Sequence, residues 1–153
     1  MKNLNLDKID FKIYNSTVDK LDSMYFRNML YYKVLYYWIK NNSNNKSISD
    51  YLLDNGVNSV AIYGAGNLGE ILYDELKREK KILIKYIIDK SSSNSSFNNT
   101  PIFKPEEINS ISKVDYIIIT PIYAFGDIQA NLKKLGIKNV ICIDDIIFKI
   151  YEE

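Results

Sequence analysis

The stretch SVAIYGAGNLGEILYDEL, residues 59–76, is the most informative part of this 153-residue chain for its fold. Its first part, VAIYG, is a compact apolar run that ends in glycine, as expected of a strand buried on both faces. After the glycine-rich turn, four apolar residues recur at helical spacing: Leu68, Ile71, Leu72 and Leu76. Charged residues occupy the other face of that helix. The stretch therefore predicts a buried strand, a tight turn and an amphipathic helix.

Apolar runs of strand length continue beyond this stretch and alternate with helical patterns. They are ILIKYIID (82–89), the start of PIFKPEEI (101–108), VDYIIIT (114–120) and KNVICID (138–144). A polar loop over 91–100 is predicted between the first two, and helices are predicted to start at Pro105 and Phe125. Strands that alternate with helices at these lengths form parallel βαβ units. We therefore expect an α/β fold with a doubly wound parallel sheet of strand order 3-2-1-4-5.

The N-terminal part, residues 1–56, predicts an α-helical extension ahead of the sheet domain over 57–153. A helical pattern runs from Val18 to about Lys40, and most of its surface is apolar or aromatic. One stripe of this helix contains Leu21, Tyr25, Asn28, Tyr32 and Tyr36. Such a helix is expected to be buried on more than one side, by its own domain or by another subunit.

Three of the six glycines lie in the hexapeptide Gly64-Ala65-Gly66-Asn67-Leu68-Gly69, which has the pattern G-x-G-x-x-G. Gly64 allows the tight turn, Gly66 lets a pyrophosphate approach the backbone, and Gly69 lets the helix pack closely. The free N–H groups and positive dipole end of the helix from Asn67 would then face the phosphates. The hexapeptide therefore predicts a Rossmann-like nucleotide-binding domain. A turn kept only for packing stays open as an alternative.

Asp89 ends the second strand about 20 residues after Gly69, where dinucleotide folds place an acidic residue. Its carboxylate would accept hydrogen bonds from a ribose 2′-hydroxyl, which favours NAD over NADP. Lys90 weakens that preference, because a cation beside the site could tolerate a 2′-phosphate. A methyltransferase is the rival user of such a turn, but those sites more often read G-x-G-x-G and need a larger sheet.

Thr120 and Pro121 end the strand over 114–120, which is expected to flank the first strand at the point where the sheet changes direction. Thr120 could hydrogen-bond a ribose or phosphate, and Pro121 keeps the preceding residue extended. The predicted cofactor-binding residues are therefore Gly64, Ala65, Gly66, Asn67, Leu68, Gly69, Asp89, Lys90, Thr120 and Pro121.

The composition excludes several kinds of chemistry. The chain has no histidine and one cysteine, Cys142, which removes the commonest general base and the usual zinc ligands. Asp144 and Asp145 are expected to begin a helix rather than to bind a metal. With a net charge of +1 and scattered basic residues, nothing predicts nucleic-acid binding. No apolar run is long enough to span a membrane and none resembles a signal peptide, so a cytoplasmic protein is expected.

The segments IYGAGNLGEILYDEL, KYIIDK, TPIFKPEEI, VDYIIITP and GIKNVICIDD, in that order, resemble the small Rossmann domains of bacterial surface-polysaccharide biosynthesis. Similar domains form the N-terminal part of nucleotide-sugar dehydratases and of sugar acetyltransferases. The resemblance covers residues 59–145 and implies a nucleotide or nucleotide-sugar ligand over the glycine turn and Asp89. The catalytic portions of those larger enzymes have no counterpart here, and no catalytic residue is assigned.

Three hypotheses about function follow. The first is a domain that binds NAD(H), NADP(H) or a nucleotide-sugar and serves polysaccharide biosynthesis. The second is a small cofactor-dependent oxidoreductase that modifies sugars. The third is an interaction module with a vestigial pocket, which docks a partner such as a glycosyltransferase through its aromatic helix. A homo-oligomer formed through the same helix is also expected. The lack of histidine and of a placed acid–base pair favours the first hypothesis over the second.

Overall fold

The structure is a computed structural model that describes residues 11–91 and 96–153. The remaining residues, which include part of the predicted loop over 91–100, lie outside the described residues. Contacts divide the chain into two compact units, Met1–Tyr36 and Tyr37–Glu153. The predicted division at residue 56 stays a prediction.

The helices are α1 (Phe11–Ser43), α2 (Ile48–Asp54), α3 (Asn67–Glu79), α4 (Phe125–Lys134) and α5 (Ile143–Glu152). The strands are β1 (Ser59–Tyr63), β2 (Leu83–Ile88), β3 (Ser96–Phe97), β4 (Thr100–Phe103), β5 (Tyr116–Ile119) and β6 (Val140–Cys142). Two short 3₁₀ helices cover Pro105–Ser110 and Ile122–Ala124. Among the described residues, no helix has both the length and the apolar character that a membrane crossing requires.

The sheet has six strands in the order β3-β4-β2-β1-β5-β6, and all neighbours are parallel except β3 and β4. The predicted α/β class is confirmed. The order differs from the predicted 3-2-1-4-5, because β3 adds an antiparallel edge strand that the sequence did not predict. Asn98 and Asn99 make this hairpin possible, since both adopt positive φ, which asparagine tolerates better than most residues.

Three further expectations need correction. The helix expected from Pro105 is a six-residue 3₁₀ helix. The helix predicted from Val18 to about Lys40 is longer at both ends and runs from Phe11 to Ser43. The chain after β6 is the helix α5, which buries Ile143, Ile146, Ile147 and Ile150 on one face. The strand expected over 138–144 is therefore limited to Val140–Cys142, because Asp144 and Asp145 lie in the first turn of α5, where acidic residues are favoured.

β1 lies in the middle of the sheet, between β2 and β5. Val60, Ala61 and Ile62 have no exposed surface, which confirms the strand that the apolar run predicts. Both faces of a parallel sheet are covered by crossover segments, so a central strand is apolar throughout. This strand therefore fixes the position of the glycine turn that follows it.

A buried carboxylate joins three helical segments within the second unit. Glu75 on α3 is 3% exposed and accepts hydrogen bonds from the Trp38 indole, the Asn42 amide and the Ile48 backbone N–H. A buried carboxylate is stable only when its oxygens are hydrogen-bonded. Glu75 therefore holds the C-terminal end of α1 and the start of α2 against α3.

The start of β1 is joined to β5 by Asp115. One oxygen of its carboxylate accepts hydrogen bonds from the backbone N–H groups of Asn58 and Ser59 and from the Ser59 hydroxyl, at 2.8 to 3.1 Å. These bonds, with that from Asn58 the largest cause, lower the pKa of Asp115 below its usual value. The ionised carboxylate is therefore the form that the folded chain stabilises.

This pKa shift predicts a loss of stability in acid. A carboxylate whose pKa is lower when folded stabilises the protein above its unfolded pKa, about 3.9, and that contribution disappears as pH falls through the folded pKa. We expect Asp115→Asn to be less stable than the parent at pH 7 and to approach it below about pH 4. Urea unfolding followed by circular dichroism between pH 7 and pH 3 measures this. The exposed Asp54→Asn is the control, and a gap between parent and Asp115→Asn that is unchanged at pH 3 would contradict the assignment.

Candidate functional site

The glycine turn connects the central strand β1 to the helix α3. Gly64 is held at the end of β1 by its N–H, which donates to the Ile88 carbonyl at 2.8 Å. The chain then turns through Ala65, and Gly66 is the N-cap of α3. Since β2 and β5 lie on opposite sides of β1, the turn is at the point where the sheet connections change direction. Ligands of open α/β sheets bind at such points.

Gly64 is required by the protein itself. Its φ is +105°, which residues with a side chain rarely adopt. A Cβ at this position would also lie 2.6 Å from the Thr120 hydroxyl oxygen and 2.8 Å from Cδ of Pro121. The turn is therefore pressed against the residues that follow β5, and only glycine fits.

Gly69 is required for the same packing, one helical turn into α3. A Cβ there would overlap the carbonyl oxygen of Gly64 and lie 3.3 Å from the Thr120 hydroxyl oxygen. The obstacle is backbone, which cannot rotate away as a flexible side chain would. Gly69 thus allows close contact between the helix and the turn.

Gly66 differs from the other two glycines. Its φ is −82°, which any residue adopts, and a Cβ would meet no atom of the described residues within 4 Å. At a helix N-cap, Asn, Asp and Ser are preferred to glycine by only about a few tenths of a kcal/mol, because their side chains bond the first N–H groups. Gly66 and Asn67 are exposed, whereas Gly64, Leu68 and Gly69 are buried. No contact among the described residues explains a glycine at position 66.

Asp89 lies beside the turn and bonds to it directly. One carboxylate oxygen accepts the Ala65 N–H at 2.7 Å, and the other accepts the Ser91 N–H at 2.7 Å. The sequence placed Asp89 near the turn but did not predict that its carboxylate holds the turn in place. A carboxylate oxygen has two lone pairs, so it can take part in more than one hydrogen bond.

Thr120 has a structural role that the sequence did not predict. Its side chain is buried, with 3% of the residue exposed. The hydroxyl can donate to the Tyr63 carbonyl oxygen, 3.0 Å away, and to the Gly64 carbonyl oxygen, 3.3 Å away. This hydrogen bonding holds the end of β1 against the end of β5. Contact of Thr120 or Pro121 with a ligand stays a prediction.

Two lysines lie near Asp89 at the carboxyl ends of β2 and β4. Lys90 is exposed, and its carbonyl accepts a hydrogen bond from the Lys104 ammonium at 3.1 Å. Sequence reasoning assigned Lys90 and missed Lys104. Lys104 directly follows β4, and residues that follow neighbouring parallel strands meet at the same edge of a sheet. That rule was the signal that could have found it.

Negative charge is also present at this edge. The pKa of the Tyr63 phenol is raised, first by burial and then by the carboxylates of Asp89 and Glu106. The phenol is therefore protonated at neutral pH, a state in which it can donate a hydrogen bond but cannot act as a base. The sequence did not predict that Tyr63 and Glu106 lie at this edge. Tyr63 is the last residue of β1 and Glu106 lies in the 3₁₀ helix after β4, so no local pattern shows that they are close.

A cavity of about 450 Å³ lies elsewhere in the second unit. Tyr86, Ile117 and Ile137 are among its lining residues, as are Lys113 and Lys138. None of the ten predicted cofactor-binding residues, all of which the structure describes, is among them. The cavity and the glycine turn are therefore separate candidate sites, and of the two only the turn contains the G-x-G-x-x-G pattern.

The remaining sequence candidates do not form a reactive centre. Cys142 is buried, and burial raises the pKa of its thiol, so the reactive thiolate is disfavoured. Asp144 and Asp145 lie in the first turn of α5, as expected of residues that begin a helix. Within the part of the chain that the structure describes, no group of three or more His, Cys, Asp or Glu side chains could hold a metal ion.

Fold and site together define an α/β chain with a mostly parallel six-stranded sheet and a glycine turn after its central strand. The model of the family described as "C2185-like, N-terminal" matches residues 56–143, which is more than half of the chain. The chain belongs to this family. The matched residues include β1, the glycine turn, Asp89 and Thr120. The comparison with curated proteins gives no match.

Proposed function

We propose that the chain binds a nucleotide-type ligand at the glycine turn, with NAD(H) preferred and a nucleotide-sugar as the other candidate. The observation that carries this proposal is the open space where a side chain at Gly66 would lie. Gly64 and Gly69 are glycines because the protein has no room for a Cβ, whereas the space beyond Gly66 is open. A glycine that the fold does not require is explained if a phosphate must approach its backbone.

The start of α3 supplies what a phosphate needs. The first N–H groups of a helix have no partner within the helix, and here the N-cap is a glycine, which has no side chain to cap them. These N–H groups and the positive end of the helix dipole favour an anion. A pyrophosphate over Gly66 would accept hydrogen bonds from this segment.

Asp89 supports a ribose beside the phosphates. Its carboxylate is already fixed by the Ala65 and Ser91 N–H groups, so a ligand would meet an acceptor that is held in position. A carboxylate there accepts from a ribose 2′-hydroxyl and repels a 2′-phosphate. Lys90 follows Asp89, and the Lys104 ammonium donates to the Lys90 carbonyl, so positive charge at this edge would offset part of that repulsion. We therefore expect NAD(H) to bind more tightly than NADP(H), with NADP(H) still able to bind.

We propose that this binding serves bacterial surface-polysaccharide or sugar biosynthesis, in keeping with the resemblance of residues 59–145. Bound cofactor would supply any redox chemistry, and the residues around the turn would bind and orient it. The polar residues around the turn do not form a pair of base and nucleophile: Thr120 is buried, Tyr63 is protonated, and Asp89 is hydrogen-bonded to the backbone. A binding domain therefore agrees better with the geometry than a self-sufficient oxidoreductase does.

A panel of ligands in a thermal-shift experiment tests the binding claim. NADH, NADPH, ADP-ribose, UDP- and CDP-sugars, coenzyme A and S-adenosylmethionine would be compared at equal concentration. A ligand at about 100 times its Kd stabilises the folded state by about 2.7 kcal/mol and raises Tm by several degrees. We expect NADH and ADP-ribose to raise Tm and S-adenosylmethionine not to do so. A panel in which no nucleotide raises Tm would contradict the proposal.

Asp89→Asn is expected to weaken NADH binding about tenfold, which is 1.4 kcal/mol, because a charged acceptor for the ribose is lost. NADPH should lose less affinity, since the same change also removes a repulsion. The amide oxygen of asparagine can still accept the Ala65 N–H, which retains that contact with the turn, whereas the hydrogen bond from the Ser91 N–H is lost. Titration of both dinucleotides by fluorescence measures the two constants. Equal losses for NADH and NADPH would remove Asp89 from the ribose role.

The aromatic part of α1 supports a second proposal, that the chain self-associates. Tyr25, Phe26 and Tyr32 are 63% to 68% exposed in the single chain. The sequence predicts that this helix is buried on more than one side, by its own domain or by another subunit. Exposed aromatic side chains at this density are typical of interaction surfaces. We propose that a second copy covers them, and docking of a glycosyltransferase or another sugar enzyme is the alternative.

A further inference from the structure

One face of α1 in the first unit is exposed and mostly apolar, with the polar Asn28 near its middle. We call Leu21, Tyr25, Tyr32 and Tyr36, which are 44% to 68% exposed, the exposed stripe. At 100° per residue, these four side chains lie within a wedge about 60° wide. A narrow seam of this kind is what one helix presents to another when the two pack side by side.

The exposed stripe is symmetric along the helix. Its midpoint lies between Asn28 and Met29: Tyr25 and Tyr32 are equally far from that point, and so are Leu21 and Tyr36. An antiparallel second copy would therefore place Tyr25 against the partner's Tyr32 and Leu21 against the partner's Tyr36. Such a surface is self-complementary under a two-fold axis, as an isologous dimer requires.

Charge favours the same arrangement. Asp22 and Lys33 are both exposed and lie on the same side of the stripe, at about 100° and 120° from Leu21 around the helix. In an antiparallel pair related by a two-fold axis, each edge of the stripe faces the same edge of the partner. Asp22 then lies opposite position 35 of the partner, within two residues of the partner's Lys33. A parallel pair would place Asp22 against the other edge.

We propose that two copies of the chain associate through the exposed stripe as an antiparallel helix pair, with Asp22 of each copy against Lys33 of the other. This inference rests on the proposed self-association and adds its geometry. It does not depend on nucleotide binding, since the surface lies in the first unit and the glycine turn in the second.

Charge reversal tests the ion pairs. Sedimentation equilibrium over a concentration series gives the dimer dissociation constant of each variant. Asp22→Lys and Lys33→Asp are each expected to raise it about tenfold, because two attractions become two repulsions in the symmetric dimer. The double variant should return to within about threefold of the parent. Asp19→Lys, which reverses an exposed charge away from the stripe, should leave the constant unchanged.

Cysteine cross-linking tests the direction of the pair. Under mild oxidation, a mixture of Tyr25→Cys and Tyr32→Cys chains should form a disulfide-linked dimer of unequal chains. Tyr25→Cys alone should not, because the two copies of position 25 lie about 10 Å apart along an antiparallel pair. The native Cys142 is buried, and the parent chain is the control for its reactivity.

These experiments distinguish self-association through α1 from the antiparallel geometry of the pair. A dimer with rescue in the double charge variant and with unequal cross-linking supports the antiparallel pair. A dimer in which Tyr25→Cys links to itself overturns the antiparallel geometry and leaves self-association intact. A chain that stays monomeric at every concentration overturns both. Circular dichroism of each variant checks that the helix is retained, and NADH titration reports on the turn independently.

Discussion

Gly69→Ala is expected to lower the free energy of unfolding by roughly 3 kcal/mol, at the upper end of the cost of overpacking. The added Cβ would overlap the carbonyl oxygen of Gly64, and the Thr120 hydroxyl oxygen is 3.3 Å away on another side. Gly64 is buried and held at the end of β1, so α3 as a whole must move away from the turn. Urea unfolding followed by circular dichroism measures the loss.

Gly126→Ala is the matched control for this prediction. Gly126 lies in α4, and a Cβ there would meet no atom of the described residues within 4 Å. Because alanine is the better helix former, the control should gain up to about 1 kcal/mol. If Gly69→Ala were as stable as the parent, the close packing of helix and turn would be wrong.

Gly66→Val is expected to raise the Kd for NADH at least 100-fold, or about 2.7 kcal/mol, with little effect on folding. The branched side chain would fill the open space above the turn, which is where the proposed pyrophosphate lies. The backbone at Gly66 is extended, a conformation that valine adopts readily. We expect the free energy of unfolding to change by about 1 kcal/mol or less, since glycine at an N-cap contributes modestly.

Fluorescence titration of NADH into parent and Gly66→Val measures this effect. Asp74→Val is a matched control, because it places the same side chain at an exposed site further along α3. The control should bind NADH like the parent. If Gly66→Val bound NADH as tightly as the parent, the turn would not hold the pyrophosphate, whatever else binds nearby.

Local patterns in the sequence predicted much of the fold. β1, α3 and the break between them follow from apolar periodicity and glycine, which act within a few residues. The start of α2 is another local feature, since the Ser47 hydroxyl accepts the Asp50 N–H three residues further along the chain. The strand hairpin over residues 96–103 was missed, because a two-residue strand is too short to show alternation.

The long-range contacts around the turn could not be predicted from the sequence. Asp89 accepts the Ala65 N–H, Thr120 bonds across from β5, and Glu75 joins three helical segments. Each contact links residues at least 24 positions apart, so it depends on how strands and helices come together. The difference between Gly66 and the other two glycines could not be predicted either, because it depends on which atoms of the folded chain an added Cβ would meet.

Nucleotide binding at the glycine turn is tested most directly by nuclear magnetic resonance of the ¹⁵N-labelled chain during titration with ADP-ribose. We expect the amide signals of Ala65 to Gly69 to shift most, followed by those of Asp89 and Lys90. These N–H groups surround the proposed phosphate and ribose. No shift at saturating ligand, or shifts confined to residues around the cavity near Tyr86 and Ile137, would contradict it.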